Sequence, residues 1–444
     1  MFRYHLTAIL ALSLASPAMA QTLRDQNSTE PSFGQPTDGG ATPSQGQSSG
    51  QAQSSTQAQK PANGLAWRND RLTLTLADGD FTISPLLRFD LDGVSFFDQH
   101  SPNGFDSGTQ VRRGRVGVRG TFLRDFEYNV TWEFGSYPSR TNTLFEAQVA
   151  WNGLGWGTVR AGTFTIQHLP EYAASSYDLL FLERASITNI VASLASGDTR
   201  EAVGLEARGD RWNTSVYGTA GVTSTLHDNK QRGLVGRAVA LLVDNPVAQF
   251  QLGFDGAAQF DPGTSPGADS IRLRDYPELR GDNANRFLDT GGIRAKDAYA
   301  YGPEAAGKIG PVYLEALYQH VVVDVPGAGS RDFDGWYVQT AVPLVGPPRQ
   351  RVRNTGTWSR PRTQGLIDPL NGNWGALEAV GRYSTVSLRD GVVRGGEQSI
   401  WTGGLNWYLS PNLKVQAEYE NGKINLDTRN RDFQAFGIRL AFSM

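Results

Sequence analysis

Apolar and polar residues alternate strictly along much of the chain, and this period-two pattern limits the fold more than any other feature. From Phe126 to Phe134 every second residue is apolar or aromatic, and the residues between are glutamate, asparagine or threonine. Successive side chains emerge on opposite faces in a β-strand, so this segment predicts a strand with one apolar and one polar face. The alternation recurs from Phe81 to the C-terminus, broken by clusters of Gly, Pro, Asn and Asp, which predicts an all-β fold there.

A soluble β-sandwich would also alternate, but three features favour a transmembrane antiparallel β-barrel. Apolar rows are paired with rows of charged residues, which a water-filled lumen tolerates. Tryptophans stand at the ends of apolar rows, where such rings settle at a membrane interface. The alternating apolar row from Phe436 to Phe442 ends the chain and predicts a last strand that pairs with the first and closes the barrel.

The hydropathy of the chain agrees with a barrel. Its mean hydropathy is -0.38, because lipid-facing and lumen-facing residues average out along each strand. After the N-terminus, no apolar run reaches the roughly 18 residues of a transmembrane helix. Residues 65–444 accommodate about 16 strands at roughly 23 residues per strand and loop, with 18 left open, and barrels of that size enclose an aqueous channel.

The N-terminal segments predict export. Residues 1–20 contain a basic start at Arg3, an apolar run from Ile9 to Leu14 and an Ala-Met-Ala site, the pattern of a cleavable signal peptide. Residues 21–64 are rich in Gln, Ser, Thr, Gly and Pro, so they cannot bury enough apolar surface to order and predict a disordered extension.

Composition and motifs argue against several functional classes. The chain has no cysteine, so it has no disulfide framework or thiolate site, and its net charge of -3 argues against nucleic-acid binding. The histidines lack metal-ligand spacing, and neither a nucleophile elbow nor a phosphate-binding glycine loop is present. We therefore expect no enzyme activity, no cofactor and no metal site; an outer-membrane lipase built on His320 is the weakest alternative.

One long segment departs from the strand pattern. For about 35 residues after Gly162, as far as Arg200, the alternation stops, and a loop of that length in a compact fold is usually functional. It carries Glu183 and Arg184 directly after the apolar stretch from Leu179 to Leu182. The segment predicts a loop that folds inward and narrows the lumen, with an extracellular loop as the alternative.

Arginines recur on the polar phase of the predicted strands. Rows of arginine facing water suit anion selection, because the guanidinium group offers paired donors and keeps its charge. The predicted anion-pathway residues are Arg88, Arg113, Arg115, Arg119, Arg160, Arg208, Arg382 and Arg439 on strands, and Arg184 in the loop. The alternative is that these arginines pair with wall carboxylates, because seven glutamates share the polar phase: Glu127, Glu133, Glu146, Glu206, Glu315, Glu378 and Glu418.

Four segments together resemble the phosphate-selective porin O and P family. They are VRRGRVGVRGTF at Val111 to Phe122 and the segments Gly162 to Ala185, Tyr301 to Tyr318 and Gly403 to Glu420, in order along residues 80–444. The resemblance implies a sixteen-stranded barrel, an inward-folded constriction loop, a lumen lined by basic residues and a homotrimer in the outer membrane.

The chain departs from that family at two constriction positions. A lysine typically follows the Gly-x-Phe of the fifth strand and an arginine typically lies in the Ser-x-Asp turn, whereas this chain has Thr165 and Tyr177. We therefore take Thr165, Tyr172, Tyr177, Asp178 and Glu183 as the constriction residues. The two tyrosines are hypothesised to narrow the pore or to favour larger organic anions.

Together these features predict a passive outer-membrane channel, surrounded by lipid, for inorganic or organic anions such as phosphate or polyphosphate. A general or weakly selective porin for organic anions is the alternative of the same architecture. A structural or adhesive surface barrel is the alternative of another class, and the loop from Asp261 to Asn285, expected at the surface, would carry that role.

Overall fold

The computed structural model describes residues 63–68, 70–99, 104–135, 143–197, 199–222, 230–263, 269–281, 285–427 and 430–444. The predicted signal peptide, residues 1–20, lies outside the described residues. So does the predicted disordered extension, residues 21–64, apart from its last two residues.

The described chain is built almost entirely of strands. In its first half they are β1 (Gly64–Arg68), β2 (Arg71–Leu76), β3 (Phe81–Phe97), β4 (Gly108–Phe122), β5 (Phe126–Glu133), β6 (Thr143–Trp151), β7 (Gly157–Phe164), β8 (Arg200–Arg208), β9 (Trp212–Val222), β10 (Arg232–Asp244) and β11 (Ala248–Phe260). In its second half they are β12 (Ser270–Ile271), β13 (Arg274–Asp275), β14 (Leu288–Asp289), β15 (Ile293–Arg294), β16 (Asp297–Ile309), β17 (Val312–Val325), β18 (Gly329–Val345), β19 (Gln350–Val352), β20 (Thr357–Ser359), β21 (Ala376–Asp390), β22 (Val393–Tyr408), β23 (Leu413–Asn425) and β24 (Asn430–Ser443). The α-helices are α1 (Pro170–Ala173) and α2 (Ser186–Ala195), and 3-10 turns lie at Ala77–Gly79 and Pro369–Asn371.

The main sheet closes on itself. Of its 18 strands, β1 and β2 form a hairpin that extends β3, and the other 16 pair antiparallel with their neighbours in a ring. The last strand, β24, pairs with β3 from Gln434 opposite Phe97 to Ser443 opposite Arg88, which joins the two ends of the sheet. The predicted sixteen-stranded antiparallel β-barrel and the predicted closing strand are therefore confirmed.

Side chains face the two sides of the wall as the period-two pattern predicts. In β24, Phe436, Ile438 and Leu440 are exposed on the outside, whereas Arg439 between them is only 1% exposed and points inward. The alternation continues around the barrel, and exposed apolar residues form a band that lipid would cover. The folded chain thus satisfies its backbone groups within the closed sheet, as the membrane interior requires.

The two ends of the barrel differ in their connections. Most turns at the end that carries the chain termini are short, as periplasmic turns of outer-membrane barrels are, and the opposite end carries the longer loops. In their described parts, three connections fold into the lumen: the loop 165–199 and the loop 261–296 from the long-loop end, and the turn 346–375 from the terminal end. The prediction that Asp261 to Asn285 form a surface loop is therefore wrong for the described part of this segment. Leu273, Tyr276 and Leu279 are buried inside the barrel.

The largest apolar cluster lies within the barrel. Ile187, Ile190 and Leu194 of α2 are buried against the lumenal faces of β17 and β18, where Val321 and Tyr337 are fully buried. Burying this apolar face stabilises the loop 165–199 inside the lumen, at about 25 cal/mol for each Å² removed from water. Within the described residues, no helix is long and apolar enough to cross a membrane.

Candidate functional site

The loop 165–199 divides the lumen into an open part and a packed part. One side of the loop borders a cavity of about 250 Å³, whose opposite wall is formed by β4 to β7. The other side packs against β16 to β18 and β21 to β24 and against the loop 261–296. The prediction that this loop folds inward and narrows the lumen is therefore confirmed.

Four of the predicted arginines line the cavity: Arg113, Arg115, Arg160 and Arg184. Each of the three on the wall is held by a carboxylate. Arg113 Nη1 lies 3.0 Å from Asp90, Arg115 Nε lies 2.6 Å from Glu133, and Arg160 forms a bidentate pair with Glu206 at 2.6 and 3.1 Å. The pairs fix the orientation of each guanidinium group. Arg115 and Arg160 keep part of their side chains exposed, whereas Arg113 is only 2% exposed.

The loop contributes an arginine from the opposite side of the cavity. The guanidinium carbon of Arg184 lies 3.8 Å from the centroid of the Tyr172 ring, and its Nε donates to the backbone oxygen of Glu171. Both side chains line the cavity, so Tyr172 presents an aromatic surface there. Thr165 also lines the cavity, and its backbone N–H donates to Glu146 at 3.3 Å.

Glu183 holds the loop to several strands at once. Its carboxylate accepts two hydrogen bonds from Arg112, at 2.7 and 3.0 Å, and lies 3.2 Å from Arg439 and 3.5 Å from Arg280. Burial acts to raise the pKa of Glu183, but the charges of Arg112, Arg280, Arg113 and Arg439 hold that pKa well below its ordinary value. Glu183 is therefore a charged anchor of the loop.

Sequence reasoning missed Arg112 because period two assigns it to the lipid face. A β-bulge, at the register shift between Asp90 and Leu91, inserts Arg112 as an extra residue between Arg113 and Val111. A bulge re-aims a side chain locally, and Arg112 turns inward to Glu183. The pair of consecutive arginines at positions 112 and 113 was the available signal.

Two predicted arginines are enclosed by the loops and do not border the cavity. Arg439 makes a bidentate pair with Asp92, at 2.6 Å for each bond, and donates to the backbone oxygen of Leu182 at 2.5 Å. The side chain of Arg382 is fully buried and lies 2.5 Å from Glu278 and 3.5 Å from Glu171. Both arginines fasten inward-folded loops to the barrel wall.

Tyr177 occupies a cluster of cations away from the cavity. Its ring centroid lies 4.6 Å from the guanidinium carbon of Arg88, 4.6 Å from that of Arg360 and 4.9 Å from Lys414 Nζ. Its backbone oxygen also accepts a hydrogen bond from Lys414 at 2.7 Å. Tyr177 is 2% exposed, so the structure gives it a packing role rather than a position on the cavity wall.

Asp178 joins the loop to the inward-folded turn 346–375. Its carboxylate lies 2.8 Å from Arg360, and its backbone oxygen accepts a hydrogen bond from Arg349 at 2.7 Å. Arg349 is itself in a bidentate pair with Glu378 of β21, at 3.1 and 2.7 Å. The constriction is therefore built by segments that enter from both ends of the barrel, and sequence reasoning had not found the turn because periplasmic turns are usually short.

The remaining predicted arginines lie nearer the terminal end of the lumen. Arg119 of β4 is half-buried between Ser84 and Asn129 of the neighbouring strands, and no ion pair within the described residues is found for it. Arg208, at the end of β8, donates to the hydroxyl of Thr158 at 3.3 Å. Neither borders the cavity.

Two titratable groups on the packed side of the loop have shifted pKa values. Burial raises the pKa of Glu171 to about 7, against the opposing charge of Arg382, and its carboxylate accepts a hydrogen bond from the backbone of Ala185 at 3.0 Å. Burial, together with the charge of Arg237, lowers the pKa of His168 to about 3. Among the described residues, no group of three or more histidines, aspartates or glutamates is placed to hold a metal ion.

Comparisons with known proteins agree with this architecture. The sequence profile of "Phosphate-selective porin O and P" matches residues 85–444. Porin O of Pseudomonas aeruginosa is 24% identical over 408 residues, which cover 84% of this chain and 90% of that protein.

Solved structures share the fold at low sequence identity. A loop-deletion mutant of OmpT, an outer-membrane protein of Vibrio cholerae, superposes with a TM-score of 0.54 at 12% identity, over 82% of this chain and all of that one. An anion-selective porin from Comamonas acidovorans gives a TM-score of 0.51 at 14% identity, again over 82% of this chain and all of that one. Because the family profile matches most of the chain and the barrel is closed, the chain belongs to the phosphate-selective porin O and P family and is an outer-membrane porin.

Proposed function

We propose that this porin is a passive diffusion channel for small anions, phosphate among them. The observation that carries the proposal is the group of four arginines that line the cavity, three on the wall and one on the loop. Anions are attracted to such a group, and because each wall arginine also has a carboxylate partner, no solute is held too tightly to leave. The family description, which names phosphate, supports this solute class.

Positively charged side chains also lie on both sides of the cavity along the barrel axis. Towards the long-loop end, Arg280 lies beside Glu183, and Arg286 stacks on Tyr276 at 4.1 Å within the loop 261–296. Towards the terminal end, Arg119 follows on the wall. An anion moving through the lumen would thus meet positive charge along its path, which raises its local concentration and its rate of entry.

Single-channel recording in a planar bilayer under a KCl gradient tests the proposal. The reversal potential should show that chloride is more permeable than potassium, and added phosphate should reduce the chloride current by competing for the same arginines. Conductance without preference for anions would instead assign a general porin. The absence of any conductance from folded protein would favour a structural or adhesive barrel.

The oligomeric state is part of the proposal. Strands β5 to β8 have 8 or 9 residues, whereas β16 to β18 and β21 to β24 have 13 to 17. When the hydrophobic part of a wall is shorter than the bilayer is thick, association with neighbouring subunits relieves the mismatch. We therefore propose that the contacts of a homotrimer lie at the wall formed by β5 to β8. Cross-linking in native membranes should give a trimer, and a monomer alone would contradict the assignment.

The N-terminal segments complete the proposal. Residues 1–20 act as an export signal, residues 21–64 as a periplasmic extension and residues 65–444 as the porin domain. The sequence pattern supports cleavage before Gln21. N-terminal sequencing of the protein extracted from outer membranes should begin at Gln21, and a chain that begins at Met1 would contradict the assignment.

A further inference from the structure

The cavity beside the loop 165–199 combines arginines with aromatic rings. The guanidinium carbon of Arg115 lies 3.4 Å from the centroid of Phe145, and that of Arg184 lies 3.8 Å from the centroid of Tyr172. Both rings and both arginines line the same cavity. A guanidinium group stacked on a ring can still donate hydrogen bonds in its own plane to a carboxylate, while the ring edge remains available to an apolar partner.

The carboxylates around this cavity reduce the advantage that a doubly charged anion would otherwise have over a singly charged one. The wall arginines already have carboxylate partners in Asp90, Glu133 and Glu206. A further carboxylate, Glu146, lines the cavity itself. These carboxylates offset much of the positive potential of the arginines, so the second charge of a phosphate dianion gains less here than it would in a cavity of unpaired arginines.

The size and lining of the cavity favour an organic body. A volume of about 250 Å³ is more than one inorganic phosphate fills; it approaches the lower limit of about 300 Å³ typical of small-molecule sites. Apolar and aromatic surface comes from Leu86, Phe145 and Tyr172, and neutral hydroxyl groups come from residues such as Thr165. Inorganic phosphate has no surface that could use these rings.

We infer that the cavity selects monoanionic carboxylates with a planar aromatic body, an inference that rests on the anion channel proposed above. The solute carboxylate accepts hydrogen bonds from the guanidinium groups of Arg115 and Arg160. The ring of the solute packs between Phe145 on the wall and Tyr172 on the loop. Contact between aromatic rings adds to the burial of apolar area and so distinguishes an aromatic acid from an aliphatic one of equal charge.

Block of the chloride current by probe anions tests this inference. Benzoate, cyclohexanecarboxylate, acetate and inorganic phosphate are added in turn to single channels of the full-length protein. We expect the half-blocking concentration of benzoate to be about tenfold lower than that of acetate or phosphate, which corresponds to about 1.4 kcal/mol. Cyclohexanecarboxylate should fall between benzoate and acetate, because it is apolar but not planar.

A pair of variants locates the effect. Phe145→Leu removes the ring from the cavity wall and should reduce the benzoate-to-acetate advantage from about tenfold to about threefold or less. Phe433→Leu, which changes a buried ring in a separate cluster near the long-loop end, should keep the full advantage. If Phe145→Leu does not fold, Tyr172→Leu makes the same test from the loop side.

The outcomes separate this inference from the proposed function. If chloride remains preferred over potassium but benzoate blocks no better than acetate, the substrate class is overturned and the anion channel stands. If the advantage of benzoate survives both Phe145→Leu and Tyr172→Leu, the cavity is not its site and the inference is likewise overturned. A channel without anion preference overturns the proposed function as well.

Discussion

The two sides of the constriction loop, residues 165–199, use the same residue types for different purposes. On the cavity side, Arg115 and Arg160 keep part of their surface exposed and face an open space. On the packed side, Arg382 and Arg439 are almost fully buried in ion pairs with Glu278 and Asp92. All four arginines lie on the lumenal face of a strand, so what separates them is whether a loop or water fills the lumen in front of them.

This difference follows from where the loop finds apolar partners. The lumenal faces of β17 and β18 carry Leu317, Val321, Phe333 and Tyr337, and α2 packs on them. Charged wall residues next to that cluster must be paired, because an isolated charge buried away from water is costly. Among the described residues, the apolar clusters contain none from β4 to β6, so the loop does not pack on this part of the wall and leaves the cavity there.

Breaking a buried ion pair on the packed side of the loop should produce the largest loss of stability. Replacement of Arg382 by methionine leaves Glu278 and Glu171 buried without their main cation and should reduce the free energy of unfolding by about 3 to 5 kcal/mol. Urea unfolding in lipid vesicles measures this loss, with Arg362→Met, an exposed arginine of the turn 346–375, as the control. A loss for Arg382→Met no larger than that of the control would show that the buried pairs do not hold the loop.

Adding a cation to each side should separate the two environments. Tyr177→Arg places a fourth positive group beside Arg88, Arg360 and Lys414 and should reduce the free energy of unfolding by about 2 kcal/mol or more. Thr165→Lys adds its charge to the cavity instead, so it should increase the preference for chloride over potassium with little loss of stability. The free energy of unfolding and the reversal potential are measured for both variants. A stable Tyr177→Arg channel with increased anion preference would contradict the packing role of Tyr177.

Neutralising one partner of a cavity-side pair should change selectivity in a direction set by the partner removed. Arg160→Gln leaves the charge of Glu206 uncompensated and should lower the chloride-to-potassium permeability ratio about threefold, or about 0.7 kcal/mol. Glu206→Gln should raise the ratio by a similar factor. Reversal potentials under a KCl gradient give both values. Shifts in the same direction for the two variants would contradict an electrostatic origin.

The smallest effect should be the pH dependence that Glu171 contributes on the packed side. Its pKa in the folded protein is about 7, above the ordinary value of 4.5. The folded state therefore binds the proton more tightly than the unfolded state, and this contribution to stability is full below pH 4.5 and is lost as the pH rises through 7. Relative to Glu171→Gln, the unfolding temperature of the native protein should fall by roughly 2 °C between pH 4.5 and pH 7.5. Scanning calorimetry in detergent measures both proteins, and parallel curves would argue against the shift.

Much of the barrel was predictable because strand geometry is local. Period two alone identified Phe436 to Phe442 as the closing strand, and the strands placed Arg113, Arg115 and Arg160 on the lumenal face. The loop from Gly162 to Arg200 was visible as a break in that period. The surface on which this loop packs was also visible in the sequence, because Leu317, Val321 and Val323 make the lumenal face of β17 apolar. That apolar face can be interpreted only once the lumen is known to contain a loop.

Residue order alone predicts a closed, alternating wall, because the face on which each side chain lies depends only on its neighbours in the strand. The fold of the whole chain selected which lumenal arginines face the cavity, because that depends on three segments, 165–199, 261–296 and 346–375, which are distant in sequence and meet inside the barrel. It also decided the position of Arg112, since a bulge shifts the register by one residue and reverses the face that the period assigns. Tyr177 and Thr165 illustrate the same limit: they are 12 positions apart in one loop, yet one is packed among cations and the other borders the cavity, because the fold of the loop turns them in different directions.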